Sequence, residues 1–356
     1  MKPISTISMF IAVLTMVFTT AAYADNSIKV TDENFVHAET AFYFNDQVKT
    51  AGGVNKWDHK RHYVAIDNQE VIRMNRDGLY SKMVLDVSKG ATVVLPKRKD
   101  SLYQTIQIIN EEHYTLEVMY PGETKELHAT QMGSDYVYLV LRTVVADELE
   151  NGMELAYAKQ RAVKVTANSA KPYVPFNYDN DSRLAKRREL ITQISTVTQP
   201  WKMFGTKDII DEKTFRIGAA AGWGGLPTTH AAYIVWIKAK GAAAKGKPSQ
   251  MTIPKPPLQF EHGAFYSFTA YDSIGWIATK NFTINNRRMV MNKDGSVTIR
   301  FNQPGAENNV DVVEDWTLAI RLYMPESLPR IVEYYKEVAQ AGGIIAVADL
   351  INNSAE

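Results

Sequence analysis

The strongest constraint on this chain is a series of short, β-rich segments between residues 265 and 323. Residues 265–272 read Phe-Tyr-Ser-Phe-Thr-Ala-Tyr-Asp and residues 316–323 read Trp-Thr-Leu-Ala-Ile-Arg-Leu-Tyr, with 281–286 and 294–301 between them. Aromatic and β-branched residues bounded by Gly, Pro, Asn and Asp predict an antiparallel sheet. In 316–323 the alternation is clean. Trp316, Leu318, Ile320 and Leu322 share one face, and Thr317, Ala319, Arg321 and Tyr323 the other. One face must be core, which sets Arg321 on the opposite one. Burying its guanidinium unpaired would cost on the order of several kcal/mol, so it is expected in solvent or in a cleft, facing a carboxylate such as Asp272.

The N-terminus reads as an export leader. Lys2 is its one charge, residues 9–18 are apolar but short for a bilayer span, and Ala22-Tyr23-Ala24 is a small-x-small cleavage site. The expected cut follows Ala24, giving a periplasmic or secreted product with no stable membrane insertion. The chain has no Cys, which excludes disulfide scaffolds, thiolate metal sites and Cys nucleophiles. With 40 basic and 39 acidic residues it has no electrostatic footprint for nucleic acid. About 330 residues after the leader exceed what one core usually organises.

The pattern divides the chain. Residues 25–145, after an irregular entry with helical tendency at 33–45, show short strands at 63–66, 71–74, 82–86, 92–95, 104–109, 114–119 and 136–141, the spacing of a sandwich or barrel. Residues 146–221 change period. Helices are expected at 147–163, after an N-cap at Asp181 or Ser182, and at 207–215, with a proline-bearing linker at 170–178. Residues 222–326 form the second β unit, opening on the turn Gly222-Trp-Gly-Gly-Leu-Pro227, and 327–356 hold an amphipathic helix and tail. The fold class is therefore mainly β and multidomain.

Two polar clusters are candidate ligand-binding sites. In the first, Asn75, Arg76, Asp77, Tyr80 and Ser81 could bind a small polar ligand or supply acid–base groups, but Asn-Arg-Asp-Gly is also turn chemistry, which accounts for most of it. In the second, Tyr271, Asp272, Arg321 and Tyr323 offer an acid, a cation and aromatic walls, the make-up of an oligosaccharide or small-acid pocket. A cross-strand ion pair on a packed sheet explains them equally well. No metal is expected. His59 and His62 have helix-turn spacing but no third ligand. No cofactor motif and no Gly-x-Ser-x-Gly nucleophile elbow are present.

Several motifs carry a resemblance. Residues 71–81 (Val-Ile-Arg-Met-Asn-Arg-Asp-Gly-Leu-Tyr-Ser), 90–96, 109–114 and 141–143 follow the order seen in domain-of-unknown-function family 1254. Residues 222–227, 265–272, 294–299 and 321–325 are similar to its companion, family 1214. Gly78 and Tyr266 stand where those families usually have Thr and Trp. The resemblance implies an immunoglobulin-like sandwich, a small helical domain and a jelly-roll, and no activity. The leading expectation is thus a non-catalytic binding or accessory protein, holding a small polar or sugar-like envelope ligand in a cleft between the β domains. The alternatives are a metal-independent hydrolase or lyase using Asp77, Tyr80, Asp272 and Arg321, and a structural homo-oligomer. Whether the chain is an enzyme is left open.

Overall fold

The computed structural model describes residues 26–347 apart from Val64, Glu70, Val71 and Lys99. The expected leader and the last nine residues lie outside that range. Among the described residues there are 16 strands in four sheets, and no helix is long and apolar enough to cross a membrane.

The first β body pairs a five-stranded sheet with a three-stranded one. The larger runs Asp58–His59, Gly78–Asp86, Tyr136–Val144, Gln104–Asn110, Thr115–Met119, and the smaller Glu123–Leu127, Ala91–Leu95, Lys164–Ala167. Leu85, Ile106, Ile108, Leu139 and Leu141 from one meet Val93, Leu95 and Leu127 from the other in a closed core. Each such buried side chain stabilises by about 1.5–3 kcal/mol. The strand Lys164–Ala167 comes from the stretch expected to be helical, so this body takes its last strand from beyond residue 145. Strands expected at 63–66 and 71–74 are not formed by their described residues, which turn instead. Their side chains stitch this segment to the second β body.

A helical layer packs on the first β body, its first helix against the strand Gly78–Asp86. It joins Phe35–Ala51 to Asn180–Thr192 and Glu212–Gly222 through Phe35, Ala38, Leu190, Ile217, Ala219 and Ala220. The entry segment is therefore a full helix, longer than the 33–45 tendency, because its apolar side finds a partner far along the chain. Asp179, rather than Asp181 or Ser182, caps the second helix by accepting from the Ser182 amide. Glu39, fully buried, meets Arg183 at 2.5 Å in this layer.

The second β body again pairs two sheets. One runs Asn309–Val310, Val297–Phe301, Ser249–Ile253, Ile345–Ala346, and the other Thr283–Asn285, Tyr266–Tyr271, Thr317–Tyr323, Ala231–Lys238. Trp316, Leu318, Ile320 and Leu322 enter the core with Val297, Ile299 and Phe301, as the alternation requires. The helix Leu328–Gln340, capped by Ser327, seals the core with Ile331, Tyr334 and Val338. All of Thr317–Tyr323 is buried. One face is core, and the other is covered by the first β body and the segment leading into its strand Gly78–Asp86.

Candidate functional site

The antiparallel pairing of Tyr266–Tyr271 with Thr317–Tyr323 sets Ser267 opposite Arg321 and places Thr269, Tyr271 and Tyr323 on the same outward face. Against this face lies the turn Asn75–Asp77. The Asn75 carboxamide oxygen accepts from the Asp77 amide at 2.8 Å, while its NH2 donates to the Tyr323 hydroxyl at 2.5 Å. Ser267 donates to Asp77 Oδ2 at 2.6 Å. Arg321 donates to Thr269 Oγ1 (3.0 Å), Tyr271 Oη (2.7 Å) and the Arg73 carbonyl (2.8 Å), and Tyr271 donates to the Met74 carbonyl. The two clusters recognised in the sequence are thus parts of one seam, contributed by both β bodies.

Four of the nine candidate residues fall outside this seam or at its margin. Asp272 is not the partner of Arg321. Its Oδ1 accepts from the amides of Ile274, Gly275 and Trp276 and closes a turn. Arg76 points away, over the rings of Tyr63 and Phe282. Ser81 bonds His59 Nδ1 at 2.7 Å on another part of the sheet. Tyr80 lies cross-strand from Arg142, whose guanidinium is 5.6 Å from its ring centre. Gly78 is required by proximity rather than by a left-handed backbone, since a Cβ there would lie 2.5 Å from the Thr143 carbonyl.

The residue that sequence reasoning passed over is Arg142. It is the one charge in the strand Tyr136–Val144, as Arg321 is in Thr317–Tyr323. One nitrogen, Nη2, donates to the Gly224 carbonyl at 2.7 Å, while Nη1 is buried with no acceptor among the described residues. Arg142, Asn75, Asp77, Tyr80, Tyr103 and Tyr323 are among the walls of a void of about 10 Å³, room for one water-sized group. Tyr323 accepts from Asn75, which leaves its own proton for an acceptor.

The electrostatics favour an anion. Burial pushes the Asp77 carboxyl up, opposed by the Arg321 charge and the Ser267 hydrogen bond. Burial also raises the Tyr103, Tyr271 and Tyr323 phenols, so each keeps its proton as a donor. Burial pulls Arg142 down, but the surrounding phenols outweigh it and leave the group raised and charged. The seam therefore holds one carboxylate that resists ionisation beside two guanidinium groups that do not lose their protons.

The turn at Gly222–Pro227 anchors Arg142. Gly224 has φ 75°, and its amide donates to His113 Nε2 at 2.9 Å. A Cβ on Gly225 would come within 2.3 Å of the Phe204 ring. His113 is stacked between Phe215 and Trp223. Among the described residues no group of three or more His, Asp or Glu side chains is placed to hold a metal ion.

No family profile and no curated protein matches the chain. Among solved structures, the VPA0106 protein from Vibrio parahaemolyticus is similar over 89% of this chain and 98% of its own, with a TM-score of 0.62 at 16% identity. A protein from Burkholderia cenocepacia aligns over 83% of this chain and 85% of its own at 12% identity, with a TM-score of 0.43. The likeness to the Vibrio protein is one of fold.

Proposed function

We propose that this chain is an exported, non-catalytic binding protein that takes a small monatomic anion, of the size of a halide, at the seam between its β bodies. The observation that carries this reading is Arg142 Nη1, buried without an acceptor at the wall of a water-sized void. A buried donor left unmade costs about 1–3 kcal/mol, and more when charged. An anion in the void would satisfy it together with the Tyr323 hydroxyl. The void is too small for a sugar ring, so the ligand class narrows from small polar or sugar-like molecules to monatomic anions. With Asp272 closing a turn, the second carboxylate of the hydrolase alternative is absent from the seam.

The same proposal takes the first β body as an immunoglobulin-like sandwich and the second as a jelly-roll, in a chain of the paired 1254 and 1214 families exported by a leader cut after Ala24. It is supported by the order of the sequence motifs and by the grouping of the strands into two pairs of sheets.

The test is thermal stabilisation by fluoride, chloride and bromide against uncharged formamide. The expected result is stabilisation by about 2.7 kcal/mol at a hundredfold excess over Kd, absent with formamide and absent in Arg142→Gln. Equal response to formamide, or none to any anion, would make the seam a purely structural clamp.

A further inference from the structure

A second pocket, of about 190 Å³, opens on the C-terminal β body and is lined by Lys255, Phe260, Tyr266, Asn286 and Met291. It lies on the core side of the strand Tyr266–Tyr271, across the sheet from the seam: Tyr266 shares a face with Phe268 and Ala270, and Ser267 points the other way. Phe260 and Tyr266 meet edge to face, with ring centres 6.3 Å apart. Phe260 and the partly exposed thioether of Met291 give the pocket apolar walls.

Each of its polar groups has a donor that lacks a strong acceptor among the described residues. Tyr266 is 1% exposed, yet its hydroxyl donates only to Met291 Sδ at 3.4 Å, and a thioether is a weak acceptor. Asn286 accepts from the Tyr266 amide through Oδ1 at 2.9 Å, which fixes the carboxamide and leaves its NH2 without an acceptor among the described residues. The Lys255 ammonium stands 5.3 Å from the Phe260 ring centre and has no carboxylate partner among the described residues. One cation and two neutral donors around apolar walls suit a ligand with an anionic end and a planar apolar body.

We infer that this pocket binds a small aromatic monocarboxylate, its ring between Phe260 and Met291 and its carboxylate received by Lys255, the Tyr266 hydroxyl and the Asn286 amide. Burial holds the Tyr266 phenol up to about 12, so it remains a donor wherever such an acid is ionised. The carboxylate would also draw the Tyr266 hydroxyl from the sulfur to a stronger acceptor. The site is separate from the seam and does not depend on anion binding there.

The probe is benzoate, titrated by calorimetry into the wild type and into Lys255→Gln, Tyr266→Phe and Arg142→Gln, with benzyl alcohol as the uncharged control. The expected result is saturable benzoate binding, weakened about tenfold in Lys255→Gln and severalfold in Tyr266→Phe, with no binding of benzyl alcohol. Arg142→Gln should bind benzoate as the wild type does. Lys255 is exposed, so its variant tests the claim even if Tyr266→Phe fails to fold. Benzyl alcohol binding as tightly as benzoate, unchanged affinity in Lys255→Gln, loss of binding in Arg142→Gln alone, or no benzoate binding at all would each overturn the inference.

Discussion

Ser267 donates to Asp77 across 2.6 Å, and this contact joins the two β bodies at their buried centre, 190 residues apart in sequence. Removing the donor leaves a buried carboxylate oxygen without it. Ser267→Ala is expected to destabilise by about 1–3 kcal/mol, read as a lower urea midpoint at unchanged slope.

Asp77 itself gives a pH signature. Its folded-state pKa lies above that of the unfolded chain because burial disfavours the charge. Stability from this group is therefore fully present below the ordinary aspartate range and is lost as the pH rises through the raised value. Asp77→Asn lacks this loss. Its stability relative to the wild type should rise between pH 4 and pH 7, as measured by paired denaturation curves. The variant should also bind chloride more tightly, by on the order of 1 kcal/mol, because the carboxylate that repels the anion is gone.

His113 sets the acid limit in the opposite sense. Burial alone pulls it down to about 3, with no charged neighbour contributing, and its ring accepts from Gly224 while packed among Phe204, Phe215 and Trp223. Stability from this group is present above the ordinary histidine value and falls with the pH from there to about 3. The slope should approach about 1.4 kcal/mol per pH unit. His113→Gln keeps an acceptor and should flatten that slope while lowering stability at neutral pH. An unchanged slope would mean that another group governs acid unfolding.

Two glycines hold the seam by being small. Gly78→Ala would press a methyl into the Thr143 carbonyl, and Gly225→Ala would press one into the Phe204 ring. Each should cost about 1–3 kcal/mol. Gly78 should be the more severe, because strand backbone yields less than a ring that can turn. Thermal melts of the two variants check the order.

Much of the architecture was legible in the sequence because it rests on local periodicity. The faces of Trp316 to Tyr323, the helix after Asp179 and the division into two β units all follow from the spacing of apolar residues. The seam was only half legible. Arg321 stood out as the one charge in a β-rich run, and the same reasoning applied to Tyr136–Val144 would have found Arg142. Which carboxylate enters the seam could not be read, since Asp272 and Asp77 both sit in turn sequences. Only the packing of the two bodies decides which carboxylate closes a turn and which reaches across. The strands expected at 63–66 and 71–74 failed for the same reason: Gln69 and Arg73 bond the 274–277 loop rather than a neighbouring strand.

The most direct test of the anion seam is a crystal structure of the protein grown or soaked in bromide, with anomalous data collected at the bromine edge. The account predicts an anomalous peak in the void beside Arg142 Nη1 and the Tyr323 hydroxyl, lost in Arg142→Gln. A void that holds a water or nothing, with bromide only at the surface, would contradict it.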